Sequence, residues 1–180
     1  MKSSNEVRRV QVSVLVSLVL AAAASRLLPH APNFGPVAAI ALFSGVQFTR
    51  ARQAYLVPLL AMLVSDAIIG FHSTVPFVYA GLLFTTFLGQ QIQAKAGIPR
   101  VLGASVLSTA VFFLLTNLGV WLVGGMYPMT AQGLAVCYWA AIPFLGNSLV
   151  GDLFFVGALF GSLHLIRTYV PSLRAAPQPS

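Results

Sequence analysis

The chain alternates long apolar stretches with short polar breaks. Six stretches approach the roughly 20 apolar residues that a helix needs to cross a hydrocarbon core of about 30 Å. They cover residues 10–28, 36–49, 53–70, 75–93, 101–123 and 141–166. The second is short for a full span and starts at Pro36, which suits a first helical turn because proline forfeits no hydrogen bond there. The pattern predicts an all-α polytopic membrane protein, with about six transmembrane helices in a single domain over residues 1–180.

The polar breaks differ in charge, and the difference predicts an orientation. Cytoplasmic loops of membrane proteins carry an excess of Lys and Arg. With the N-terminus inside, nine of the ten basic residues face the cytoplasm, and only Arg26 does not. The nine are Lys2, Arg8, Arg9, Arg50, Arg52, Lys95, Arg100, Arg167 and Arg174. We therefore expect a multi-pass protein of the bacterial inner (plasma) membrane with both termini in the cytoplasm.

Composition excludes several classes of protein. Hydrophobic residues make up 58% of the chain and charged residues 7%, whereas a soluble domain has about 25% charged residues. The net charge of +7 comes from scattered residues rather than one patch, so no nucleic-acid partner is expected. The single cysteine, Cys137, excludes an internal disulfide and a Cys-rich zinc site.

The first residues allow a second interpretation. Residues 1–24 combine a basic start with an apolar stretch that ends in small residues, and a cleaved secretory signal has the same composition. The polar segment that follows at once, from Arg26 to Pro36, makes sense as the extracytoplasmic end of a retained first helix.

Three Asp, Glu, Lys or Arg residues fall within the predicted spans: Arg26, Asp66 and Asp152. A charge at the bilayer centre costs about 2.5–3.5 kcal/mol on insertion scales, so such residues face protein or water and are functional-site candidates. Asp66 precedes Gly70 by four positions, roughly 6 Å below the end of the third helix. Arg26 closes the first helix on the same side, so the two could meet there, whereas Asp152 lies deeper.

Uncharged polar residues from at least four segments gather on this non-cytoplasmic side. They are His30, Asn33, His72, Asn117, Trp121, Tyr127, Tyr138 and Asn147. A few donors and acceptors around an apolar, aromatic wall are typical of a small-molecule pocket. Hydrogen bonds between helix ends would produce the same asymmetry, because backbone groups freed at loops need partners.

The pocket interpretation predicts a set of solute-binding side chains, and no catalytic or metal-binding residue is assigned. The predicted solute-binding residues are Arg26, His30, Asn33, Asp66, His72, Asn117, Trp121, Tyr127, Asn147 and Asp152. The Pro- and Gly-rich segment 26–36 lies between the first two spans. It could fold into the bundle as a lid, or serve only as a rigid connector.

Small residues line one face of the first helix. Ser13, Ser17, Ala21 and Ser25 recur every four positions, and small residues let membrane helices approach closely. Shorter faces of the same kind are Gly81, Thr85 and Gly89, and Gly157 with Gly161. Each could pack within the chain, but the length of the first makes Ser13, Ser17 and Ala21 the best candidates for docking a partner.

Several motifs resemble those of a family of small, uncharacterised bacterial six-helix membrane proteins. They are R-x-x-P-H-x-P-N-F-x-P at 26–36, A-L-F-S-G at 41–45, S-D at 65–66, T-N-x-G-V-W at 116–121 and C-Y-x-A-A-I-P-F-x-G-N-x-x-x-G-D at 137–152. That family is in turn similar, in size and helix number, to the substrate-binding S components of energy-coupling-factor vitamin transporters. The resemblance implies an S-component-like bundle that binds a vitamin or metal ion from outside. It also implies docking of the first helix on a transmembrane coupling subunit driven by ATPases.

The leading functional hypothesis is a non-catalytic transport subunit that captures a small, vitamin-like solute and needs no cofactor. The chain has no Walker sequence, so ATP hydrolysis would belong to partners. The alternatives are a metal- or corrinoid-handling protein using His30, His72 and Cys137, and a structural subunit without a ligand. An intramembrane enzyme is disfavoured because HExxH, GxSxG and paired carboxylates on one helix are missing. A solitary carrier is disfavoured because no internal repeat is evident.

Overall fold

The computed structural model describes residues 4–29 and 31–169, and this part of the chain is helical, without strands. Its six α-helices are α1 (Ser4–Leu27), α2 (Val37–Gln47), α3 (Ala51–Ile69), α4 (Val75–Ile92), α5 (Ile98–Val123) and α6 (Ala131–Tyr169). A short 3-10 turn, Gln93–Lys95, follows α4. The predicted all-α fold is confirmed.

Four of the described helices, α3 to α6, are long and apolar enough to cross a membrane. The second predicted span is not one of them, because α2 has 11 residues and reaches only about 16 Å at 1.5 Å per residue. In α1 the apolar part with described side chains, Val16–Leu27, is also short. Of the roughly six transmembrane helices predicted, four described helices have the length and composition to cross a membrane.

The last helix is longer than its predicted span of 141–166. α6 has 39 residues and contains Pro143, and it begins at Ala131, well before residue 141. Proline is tolerated in membrane helices because neighbouring groups re-satisfy the freed carbonyl. Cys137 and Tyr138, which lie outside the predicted spans, therefore belong to the helix.

The shortest helix lies at the centre of the bundle. Every residue of α2 from Ala39 to Val46 is buried, and α2 contacts each of the other five α-helices. Around it, α1 packs on α3, α3 on α4, α4 on α5 and α5 on α6. A helix that is apolar on all sides is stable only when neighbours surround it, which explains why α2 does not need to span the bilayer by itself.

The two ends of the bundle differ in charge. We call the end that holds residues 31–36 and the α3–α4 turn the connector end, and residues 31–36 the connector. The opposite end, called the basic end, carries the exposed Arg50, Arg52, Lys95 and Arg100. Lys2 and Arg174, which were predicted to lie on the same side, are outside the described residues.

The connector is tied to α6. Asn147 Nδ2 donates to the carbonyl of Pro32 over 3.1 Å, and the Phe34 ring lies 5.5 Å from that of Phe155. Asn33 adopts a left-handed conformation with φ of 58°, which asparagine tolerates better than most side chains. The connector, which precedes α2, thus lies against α6.

Candidate functional site

Arg26 and Asp66 form an ion pair at the connector end. Arg26 Nη1 lies 2.5 Å from Asp66 Oδ1, and the Asp66 side chain is fully buried. The Tyr79 hydroxyl donates to the other carboxylate oxygen over 3.0 Å. The expected meeting of Arg26 and Asp66 is confirmed, and the cluster ties α1, α3 and α4 together.

The hydroxyl of Ser65 also contacts the guanidinium. Ser65 Oγ accepts from Arg26 Nη1 and donates to the carbonyl of Ala61 over 2.8 Å. Successive helical residues point about 100° apart, yet one guanidinium placed between them reaches both Ser65 and Asp66. These bonds both use Nη1, so they leave other N–H groups of Arg26 for further partners.

A cavity of about 390 Å³ adjoins this cluster. Residues of all six α-helices and of the connector line it, and it reaches the exposed Asn33 and His72 at the connector end. Its apolar wall includes Met62, Leu82 and Phe112. The volume falls within the range of about 300–1,000 Å³ that is usual for small-molecule pockets.

Five of the predicted binding residues line this cavity. They are Arg26, Asn33, His72, Asn117 and Asp152. Asn117 Nδ2 donates to the carbonyl of Phe113 over 2.8 Å, and His72 Nδ1 lies 2.7 Å from Thr74 Oγ1. Asp66 does not line the cavity itself, but it forms the ion pair that holds Arg26, which does.

Three other predicted residues are not part of the cavity lining. Trp121 Nε1 donates to the carbonyl of Pro128 over 2.9 Å, Asn147 holds the connector, and Tyr127 is half-buried in the α5–α6 loop. Trp121 and Asn147 make the bonds between helix ends and loops that the structural interpretation expected. His30 lies outside the described residues.

Asp152 is the deepest charged residue of the lining. Its side chain is buried, and Thr109 Oγ1 donates to Asp152 Oδ2 over 2.6 Å. Thr109 Oγ1 also lies 3.0 Å from the carbonyl of Ser105, so its single proton is shared between the two acceptors. Asp152 is therefore held where α5 meets α6, and we call this part of the lining the floor of the cavity.

Several polar residues around the site were not predicted from the sequence. Tyr79 carries no signal beyond being a tyrosine in a predicted span. Ser105, Ser108 and Thr109 could have been found, because spacings of three and four residues place them on one helical face, and all three are buried. Ser25, Thr116 and Ser148 also line the cavity.

The metal alternative rested on His30, His72 and Cys137. In the described part of the chain no three His, Cys, Asp or Glu side chains are grouped so as to hold a metal ion. Cys137 is buried, with Sγ 3.5 Å from the carbonyl of Asn117, whereas His72 is exposed at the mouth of the cavity.

Fold and cavity together define an all-helical protein of membrane type with a polar-lined internal cavity near one end. The chain belongs to the family of unknown function DUF6580, whose model matches residues 6–173. No curated protein and no solved structure matches the chain significantly.

Proposed function

We propose that the protein is the membrane-embedded, solute-binding subunit of a transporter, with no catalytic activity of its own. The observation that carries the proposal is the cavity of about 390 Å³, in which a guanidinium, two amides, an imidazole and a carboxylate meet an apolar wall. Such a lining binds a small molecule with a hydrophobic body and a few polar groups. A water-soluble vitamin has this chemistry.

The charge distribution supports capture from the extracytoplasmic side. The exposed Arg and Lys residues of the basic end face the cytoplasm under the positive-inside rule, which directs the connector end and the mouth of the cavity outward. Both termini are then cytoplasmic. The connector, held over the bundle by Asn147 and Phe34, is in position to cover a bound solute.

The first helix has a surface for a coupling subunit. Ser13, Ser17 and Ala21 are exposed, while Val19 and Ala22 on the other face pack into the core. We propose that a transmembrane coupling subunit with associated ATPases docks on this small-residue face.

Ser17→Phe should then leave solute binding intact and abolish uptake by whole cells. Unchanged uptake would contradict the docking surface.

A panel of water-soluble vitamins, including corrinoids, tests the binding proposal by thermal shift on the purified protein. We expect at least one compound to raise Tm, and His72→Ala to weaken its binding by roughly 10-fold, the equivalent of one hydrogen bond to a charged or polar partner. His164→Ala is the matched control, because His164 is an exposed histidine at the far end of α6 that does not line this cavity. Equal affinity in both variants would exclude the cavity as the binding site.

A further inference from the structure

A second, narrower space adjoins the cavity at Asp152. It is lined by residues of α2, α4, α5 and α6, and Asp152 borders both spaces. Its polar lining consists of Thr85, Ser105, Ser108 and Asp152, and it has no room for a water molecule. We call it the floor site.

Two serine hydroxyls of the floor site have no hydrogen-bond partner. Ser105 and Ser108 are each 2% exposed, and within the described residues their Oγ atoms bond to nothing. Other hydroxyls of these helices donate to the carbonyl four residues earlier, as Thr85 does to Gly81 over 3.0 Å. A buried hydroxyl without a partner is destabilising, so these two oxygens point to an occupant that is not protein.

The carboxylate of the floor site is also uncompensated. Asp152 accepts from Thr109, but among the described side chains the ion pair belongs to Arg26 and Asp66. An acidic group in the membrane interior is stable only when a cation or a bound proton neutralises it, since lipid does not solvate its charge. A cation would also bind the two unpartnered serine oxygens, which a proton on Asp152 would not, so the occupant should be a cation.

The ligand atoms restrict which cation can bind. Carboxylate and hydroxyl oxygens favour hard ions, and no thiol or imidazole lines the floor site. A single carboxylate balances one positive charge. A dehydrated sodium ion is smaller than a water molecule, whereas potassium is about the same size, so the narrow space favours sodium.

We propose that the floor site binds one sodium ion through Asp152, Ser105 and Ser108. The second part of the proposal rests on the proposed function: because Asp152 also lines the cavity, the ion strengthens solute binding by neutralising and fixing that carboxylate. Reciprocal coupling then requires that solute tighten sodium binding by the same factor.

Binding of ²²Na⁺ to the purified protein in detergent, without any organic solute, tests the floor site. We expect saturable binding that unlabelled sodium competes away and potassium does not. At ten times the Kd, sodium chloride should raise Tm by about 3–6 °C over choline chloride of equal ionic strength and pH. Ser105→Ala, Ser108→Ala and Asp152→Asn should each abolish both effects.

Thr86→Val is the matched control. Thr86 is fully buried in the same bundle and its hydroxyl donates to Leu82, but it does not line the floor site. This variant should bind ²²Na⁺ like the wild type. If Asp152→Asn fails to fold, the two serine variants decide the matter, because they only remove unpartnered hydroxyls.

Three results would overturn the sodium site. The first is that folded wild-type protein shows no saturable ²²Na⁺ binding. The second is that the serine variants bind ²²Na⁺ as fully as the wild type. The third is that Tm changes with pH but not with sodium, which would make a proton the counter-charge. None of them bears on the vitamin panel. A failure of the floor site is thus distinguishable from a failure of the solute cavity.

Discussion

At the scale of single residues, the Arg26–Asp66 pair has the clearest energetic consequence. Asp66 is fully buried, and among the described residues its carboxylate keeps only the Tyr79 hydroxyl as a side-chain partner if the guanidinium is removed. Breaking a buried pair by deleting one partner costs about 3–5 kcal/mol, because the other charge stays buried without compensation. Both residues therefore contribute to stability whether or not Arg26 also contacts a solute.

A double-mutant cycle tests this account. We expect Arg26→Met to lower the free energy of unfolding by about 3–5 kcal/mol, and Arg26→Met combined with Asp66→Asn to recover a large part of the loss. Reversible unfolding in mixed micelles gives both values. Additive losses from the two substitutions would show that the pair is not coupled.

The positions of individual polar residues at the site were predictable from the sequence where burying their charge in lipid would cost free energy. Arg26, Asp66 and Asp152 stand out because lipid penalises charge, and Arg26 and Asp152 line the cavity. Trp121 and Asn147 occur on the same side, yet their bonds go to backbone carbonyls. The side of the membrane on which a residue lies, and its depth, can be predicted from the sequence. The direction in which its side chain points depends on helix packing.

At the scale of helices, the contact between α2 and α4 depends on two glycines. A Cβ added to Gly45 would lie 2.9 Å from Gly89 Cα, and one added to Gly89 would lie 2.9 Å from Gly45 Cα. Backbone atoms cannot move aside as flexible side chains do. The small face of Gly81, Thr85 and Gly89 therefore packs within the chain, as the intramolecular alternative held.

Substitution of these glycines measures how much the contact between α2 and α4 contributes to the free energy of unfolding. Gly45→Ala and Gly89→Ala should each destabilise the protein by about 1–3 kcal/mol through overpacking. Gly103→Ala is the control, because nothing lies within 4 Å of the added Cβ, and it should be neutral or stabilising by up to about 1 kcal/mol. The comparison is made by thermal unfolding in one detergent, and equal effects at Gly103 and Gly45 would refute the close approach.

Helix number and order were predictable from hydropathy, but helix lengths were less so. Apolar runs and turn residues locate α3, α4 and α5 within a few residues of their ends. Hydropathy does not reveal that α2 is buried on all sides, nor that α6 continues through Pro143. Those features depend on which neighbours surround a helix, and hydropathy along the chain does not identify those neighbours.

At the scale of the whole molecule, the proposed orientation places the connector end outside the cell. We expect a membrane-impermeant maleimide added to intact cells to label Ser73→Cys, at the exposed α3–α4 turn, but not Ala96→Cys at the exposed basic end. Both are made in a Cys137→Ser background. Labelling only after the cells are opened, or of Ala96→Cys alone, would invert the orientation.

The central claim is that the cavity between the helices holds a small organic solute, and native mass spectrometry of the protein from mild detergent tests it most directly. Ala141 is buried and lines the cavity, whereas its neighbour Ala140 is exposed. We predict a bound molecule of defined mass on the wild type and on Ala140→Phe, and none on a folded Ala141→Phe, whose ring fills the space. The claim is contradicted if Ala141→Phe retains the same molecule, or if the wild type binds none even when offered the vitamin panel.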